Sequence, residues 1–183
     1  MKTKTLLTTV LIAVAGFSLS SCKDSETGSS AEVKNPASAE LQKYFTDQEI
    51  DGAQDIHIAR TTAKPGDEIT LKGEVMGREN VFVDGRAAFV LGDPKKLTTC
   101  DKMGEDDHCP TPWDACCDSK ELKSVSLASI QIVGEDGRVL KSGLKGVNGM
   151  KEISNIVVSG IVAENSTAEN FIVNAEQIFV TDK

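Results

Sequence analysis

Four of the five cysteines in this chain fall within residues 100–118, CDKMGEDDHCPTPWDACCD. Cys100, Cys109, Cys116 and Cys117 share that stretch with His108, one of two histidines, and with Trp113, the single tryptophan. Thiols and an imidazole gathered in this way pair as disulfides, hold a thiophilic metal, or exchange disulfides with a partner. An even number of cysteines in a long irregular segment suits two structural disulfides, for which four cysteines allow three pairings. A bond between neighbouring Cys116 and Cys117 strains the backbone. Two pairings remain: Cys100–Cys116 with Cys109–Cys117, or Cys100–Cys117 with Cys109–Cys116. Zn or Cu would also suit these four thiols, with His108 as an additional metal ligand, and the surrounding acids would lower the cost of bringing in a cation. The Cys-x-x-Cys spacing of zinc knuckles and of thiol oxidoreductases is absent. The expectation is a disulfide-stapled loop first, a metal site second and redox catalysis last.

The stretch carries six acids against Lys102 alone, a charge of −5. It interrupts a series of strand signals, so it reads as an elaborated loop, residues 93–122, set on a rigid frame. Leu97, Met103 and Trp113 are its few large apolar residues, so it is expected to need cross-links or a metal to order it. The Pro110-Thr111-Pro112-Trp113 run is stiff, and Trp113 is expected to fold back over the loop or the frame rather than to project as a recognition finger.

The frame is read from period-2 patterns and turns. Pro65-Gly66-Asp67 turns into Ile69, Leu71, Gly73 and Val75, which alternate with polar residues as in a half-buried strand. A second strand region spans residues 81–91, with Asp84-Gly85 as a turn or bulge and Phe89 in the core. A third spans 125–133, where the apolar phase flips between Leu127 and Ile130 and suggests a bulge; a hairpin turn at Asp136-Gly137 follows. Leu144, Val147, Met150 and Ile153 at threefold spacing mark a loop or short helix that plugs one end. Strands over 156–163 and 171–180 complete the set. Upstream, Ile56 and Ile58 alternate as in a short lead-in strand, with His57 as a surface or satisfied histidine. Residues 38–45 suit a short helix capped by Ser38.

Three strands, a plug and two more strands make an all-β chain of the order found in an OB-fold. The stretches LKGEVMG, RAAFVLGD and IVVSGIVAE resemble the first, second and fourth strands of bacterial OB-fold domains. The resemblance implies a small five-stranded barrel with a Cys-rich insertion; a β-sandwich is the alternative.

Lys2 and Lys4 precede a short apolar run, residues 6–19, which has the form of a secretory signal and is too short to span a bilayer comfortably. The run ends in Leu19-Ser20-Ser21-Cys22, which resembles the lipobox of bacterial lipoproteins. That resemblance implies cleavage before Cys22, acylation of Cys22 with palmitate-type chains, and residence in an oxidising envelope compartment. By resemblance to lipoprotein sorting in Gram-negative bacteria, the lack of Asp at Lys23 implies the periplasmic face of the outer membrane, with the inner membrane as the alternative. The expected organisation is a signal peptide over 1–21, a lipidated tether over 22–47 and a domain over 48–183.

The whole chain has a formal charge of −8, and removal of residues 1–21 would take it to −10. With 4% aromatics, neither the charge nor the base-stacking needed for single-stranded nucleic acid is present. Gly143, Gly146 and Gly149 match no phosphate-binding motif, and no Ser/His/Asp set is placed for catalysis. The sequence therefore predicts a lipid-anchored envelope protein that binds or scaffolds an envelope protein or a glycan, not an enzyme. The alternative is a protein that binds Zn or Cu through the Cys/His loop.

Overall fold

Ile69, Leu71 and Gly73 are buried and Glu68 and Lys72 exposed, the alternation of a strand with one face in a core. The computed structural model describes residues 36–104 and 109–181. The expected signal peptide, the lipobox-like stretch with Cys22, the first part of the expected tether and His108 lie outside the described residues.

The chain runs α1 (Pro36–Gln42), β1 (Phe45–Thr46), β2 (Gln54–Asp55), α2 (Ile56–Thr62), β3 (Glu68–Glu74) and β4 (Ala88–Gly92). A 3₁₀ turn (Cys100–Lys102) and α3 (Lys120–Ser126) then precede β5 (Leu127–Gln131), and a second 3₁₀ turn (Val147–Gly149) precedes β6 (Asn155–Val162) and β7 (Ile172–Val180). β3 pairs antiparallel with β4 and with β6, and β4 pairs antiparallel with β5. β5 pairs parallel with β7, and β7 returns antiparallel to β6. These five strands close into a barrel with OB-like strand order, so the all-β, five-stranded barrel stands. β1 and β2 add short parallel pairs to β7 and β3.

The core is filled by Leu71, Phe89, Leu91, Ile130, Ile132, Val158, Val173 and Ile178, each at most 1% exposed. Three of the four expected plug residues, Leu144, Val147 and Met150, are buried around the second 3₁₀ turn; Ile153 is only half-buried, at a positive φ of 66°. Leu41 of α1 is fully buried in the same core, and Tyr44 and Phe45 pack against it. The folded unit therefore begins upstream of residue 48 and takes in the end of the expected tether.

Three local expectations change. The lead-in strand over Ile56 and Ile58 is instead α2: Ile56 and Ala59, three apart, are buried while Ile58 is 48% exposed. Helical spacing onto the core overrides the strand preference of the β-branched residues. The second strand region turns at Gly85 (φ 64°), as expected, but its first limb is shorter than expected: Val83 is exposed, and only a bridge from Phe82 to Phe89 precedes β4. The register of β5 runs without a shift. Ala128 and Ile130 face the barrel, while Leu127 joins a separate cluster outside it.

The register shift lies between β6 and β7. Ser159 and Gly160 are consecutive, but their partners are Gln177 and Ala175. Glu176 is the extra residue, and the buried positions of β7 change phase across it, from Val173 and Ala175 to Ile178 and Val180. A bulge of this kind bends a strand enough to close a small barrel. Gly160 makes the bend possible: a Cβ there would stand 2.1 Å from the carbonyl oxygen of Asn174. We predict that Gly160→Val lowers stability by about 3 kcal/mol or more, since backbone must move to admit it. Urea denaturation checks this; a midpoint like that of the wild type would contradict it.

Candidate functional site

The insertion leaves β4 at Asp93 and re-enters the barrel at Ser126. The Asp93 N–H donates to the Ser126 carbonyl at 2.9 Å, so entry and exit lie side by side. The Asp93 carboxylate is almost fully buried. It accepts from the His57 N–H at 3.1 Å, lies 2.6 Å from His57 Nδ1, and accepts from the Lys95 N–H at 3.0 Å. A buried carboxylate needs this many donors to offset its lost hydration.

Glu74, at the end of β3, is 4% exposed and accepts two hydrogen bonds from Lys102 Nζ at 2.8 and 3.1 Å. That pair pins the 3₁₀ turn carrying Cys100 to the barrel. The two limbs of the loop are zipped by Cys100 N–H to Asp114 O at 2.9 Å and Asp101 N–H to Pro112 O at 3.0 Å. Gly77 N–H donates to Trp113 O, and Trp113 Nε1 donates to Glu79 O at 2.8 Å. Trp113 folds back onto the frame, as expected. Ser119 caps α3 by accepting from the Leu122 N–H at 3.1 Å.

The expectation that only cross-links or a metal could order the loop is corrected. Leu97 and Ala115 pack with Met76 and Leu127 of the barrel in a second apolar cluster, joined by Val90 and Leu122. The insertion borrows barrel residues, a contribution that counting its own apolar side chains misses.

The loop brings three sulfurs together. The Sγ atoms of Cys100, Cys109 and Cys116 all lie within 4.8 Å of one another, and Cys100 and Cys116 are 3.3 Å apart. Cys117 stands beside them, 3.8 Å from Cys116 Sγ, on the exposed side. Cys100 is buried, and desolvation together with its contacts to Cys109 and Cys116 pushes its thiol up to about 12. Cys109 is held below the ordinary thiol range by Thr111, whose hydroxyl and carbonyl lie 3.5 Å from its sulfur, and by Cys100. The cluster thus couples a half-buried thiol held below the ordinary range to a buried one that resists ionisation.

A second feature was not legible in the sequence. The outer face of β4 and β5 carries Ala88 opposite Gln131 and Val90 opposite Ser129. Two clefts occupy successive stretches of this face. One, of about 430 Å³, is walled by Arg78 and Glu79 of the β3–β4 loop, Asn170 and Phe171 of the β6–β7 loop, Asp114 of the insertion and Lys123 of α3. The other, of about 710 Å³, is walled by Arg86, Gln131, Arg138, Asn165 and Asn174. Ser129 Oγ donates to Asn170 Oδ1 at 3.1 Å and Gln131 Nε2 to Asn174 Oδ1 at 2.8 Å, a row of amides and hydroxyls along the floor. The His57–Asp93 pair was missed as well, because 36 residues separate its members and no motif links them.

In the reduced protein, Cys109 is expected to react with iodoacetamide near neutral pH at least about ten-fold faster than Cys100. Its lowered pKa supplies thiolate at lower pH, whereas the raised pKa of Cys100 withholds it until strongly alkaline pH. Peptide mass spectrometry after timed quenching checks the order; equal rates would contradict it. Compared with known proteins, the chain matches no family model, no curated protein and no solved structure.

Proposed function

We propose that this chain is a lipid-anchored envelope protein that works as a binding module, with its ligand lying along the outer face of β4 and β5. The observation that carries the reading is the pair of clefts on that face, flanked by the β3–β4 and β6–β7 loops. OB barrels use the corresponding face and loops to bind oligosaccharides and oligonucleotides. The clefts balance Arg78, Lys120 and Lys123 against Glu79, Asp114 and Glu169 at one end, and offer Gln131, Asn165 and Asn174 at the other. Amides and hydroxyls of mixed charge suit a ligand rich in hydroxyl groups, so a glycan is favoured. An oligonucleotide is disfavoured by the acidic chain and by a floor without stacked aromatics.

Binding of the full-length protein in detergent to a glycan array tests this reading. Gln131→Ala and Arg138→Ala are each expected to weaken capture about ten-fold, the loss of roughly one hydrogen bond to a charged or amide group. Glycan binding untouched by both substitutions, or tight salt-sensitive binding of single-stranded DNA, would overturn it.

The envelope address rests on Leu19-Ser20-Ser21-Cys22. Among the described residues no helix is long and apolar enough to cross a membrane; in this reading acyl chains on Cys22 supply the attachment. Each buried CH₂ of such a chain contributes about 0.8 kcal/mol. Cys22→Ser is expected to move the protein from the membrane fraction to the soluble one, or to leave it uncleaved. A wild-type protein recovered soluble with an unmodified N-terminus would refute the anchor.

A further inference from the structure

We infer that Cys100, Cys109 and Cys116 form a three-thiolate site for a thiophilic d¹⁰ cation, Zn²⁺ or Cu⁺. The inference is independent of the clefts and their ligand.

Geometry comes first. Two disulfides would need the four cysteines sorted into two couples. Instead Cys109 joins Cys100 and Cys116 in one group, all within 4.8 Å, and Cys117 lies outside that mutual set. Sulfurs bound to one metal at about 2.3 Å stand about 4 Å from each other. The separations here reach that arrangement with side-chain adjustments of under about 1 Å. A Cys100–Cys116 disulfide would use two of the three sulfurs and require Cys109 to pair with Cys117, the one sulfur outside the mutual set.

The support is already built. Cys100 sits on the 3₁₀ turn that Lys102 and Glu74 fasten to β3. Its N–H is hydrogen-bonded across the loop to Asp114, two residues before Cys116. Cys109 is placed by the stiff Pro110–Pro112 segment that pairs with Asp101. Three donors held by hydrogen bonds to a barrel need little ordering when a cation arrives.

Charge favours a cation. Lys102 is the single Lys or Arg of residues 100–118, and its ammonium is occupied by Glu74. Asp101, Asp114 and Asp118 remain in the same loop. Soft thiolates select Zn²⁺ and Cu⁺ over harder ions. Binding forms three metal–sulfur bonds; each thiol still protonated releases its proton to solvent, and no electron is transferred.

The test uses the full-length protein, reduced and kept anaerobic in detergent. Cobalt(II) titration is read by thiolate-to-metal charge-transfer absorption, with Zn²⁺ as competitor, and Cu⁺ is titrated against a chromogenic chelator; the two arms identify the preferred ion. One equivalent should bind. Cys109→Ser and Cys116→Ser should each weaken binding at least about a hundred-fold, and Cys117→Ser by less than about three-fold. In the wild type, bound metal should protect Cys100, Cys109 and Cys116 from alkylation and leave Cys117 reactive, a readout that does not depend on how any variant folds. Failure of the reduced wild type to bind either ion would overturn the inference. So would undiminished affinity in Cys109→Ser with the barrel folded by circular dichroism, loss of binding in Cys117→Ser equal to that in Cys109→Ser, or isolation of the protein with a Cys100–Cys116 disulfide.

Discussion

A five-stranded barrel holds only if its last open edge is closed, and here three residue pairs between parallel β5 and β7 close it: Ser129 with Ile172, Ile130 with Val173 and Gln131 with Asn174. Parallel neighbours cannot be joined by a tight turn. The chain must cross the barrel between them, and that crossing supplies the plug and β6. β7 gives its first half to β5 and its second half to β1, and the bulge at Glu176 keeps apolar residues inward in both halves. β3 meets β4 at a single pair, Glu74 with Gly92, while β2 covers part of the remaining edge beside Leu71 and Lys72. The short N-terminal strands are therefore part of barrel closure, protecting edges that would otherwise be open to pairing with other chains.

The corner where β3 meets β4 also holds the two most demanding polar groups. Glu74 sits at the pair, and Asp93 follows Gly92 directly. Each carboxylate is buried, and each finds its partner on an element outside the barrel: Lys102 in the insertion, His57 on α2. A buried carboxylate left without its donors is costly. The effect of these pairs is to specify position, because neither the insertion nor α2 can shift without stranding a charge. The loop is thus anchored by two carboxylates, a zip of backbone hydrogen bonds and a borrowed apolar cluster.

The same anchorage joins the thiol cluster to the cleft face. Asp114 lines the first cleft, and its carbonyl accepts from Cys100. Gly77, in the wall of that cleft, is bonded to Trp113 of the insertion. An OB-like frame by itself says little about activity. What distinguishes this chain is that its longest strand connection, rich in thiols and acids, is built into one wall of the barrel's outer groove.

Strand identity was legible in the sequence where one face is buried against one core, as in the period-2 alternation of β3; β6 and β7 were found as short apolar runs between turns, and the plug by the threefold spacing of Leu144, Val147 and Met150. The four loop cysteines could be singled out by type and spacing alone. Local pattern failed where a residue serves a core other than the barrel. Leu127 looked like a phase error in β5 because its partners, Met76, Leu97 and Ala115, are brought to it only by folding. Ile56 and Ile58 looked like a strand because two alternating residues cannot distinguish a strand from one turn of helix. The His57–Asp93 and Glu74–Lys102 pairs, the meeting of three of the four sulfurs, and the clefts on β4 and β5 join residues up to about a hundred positions apart. Such pairings depend on strand order, on how the barrel closes and on where buried charges find partners, and these are properties of the folded chain that no window of sequence contains.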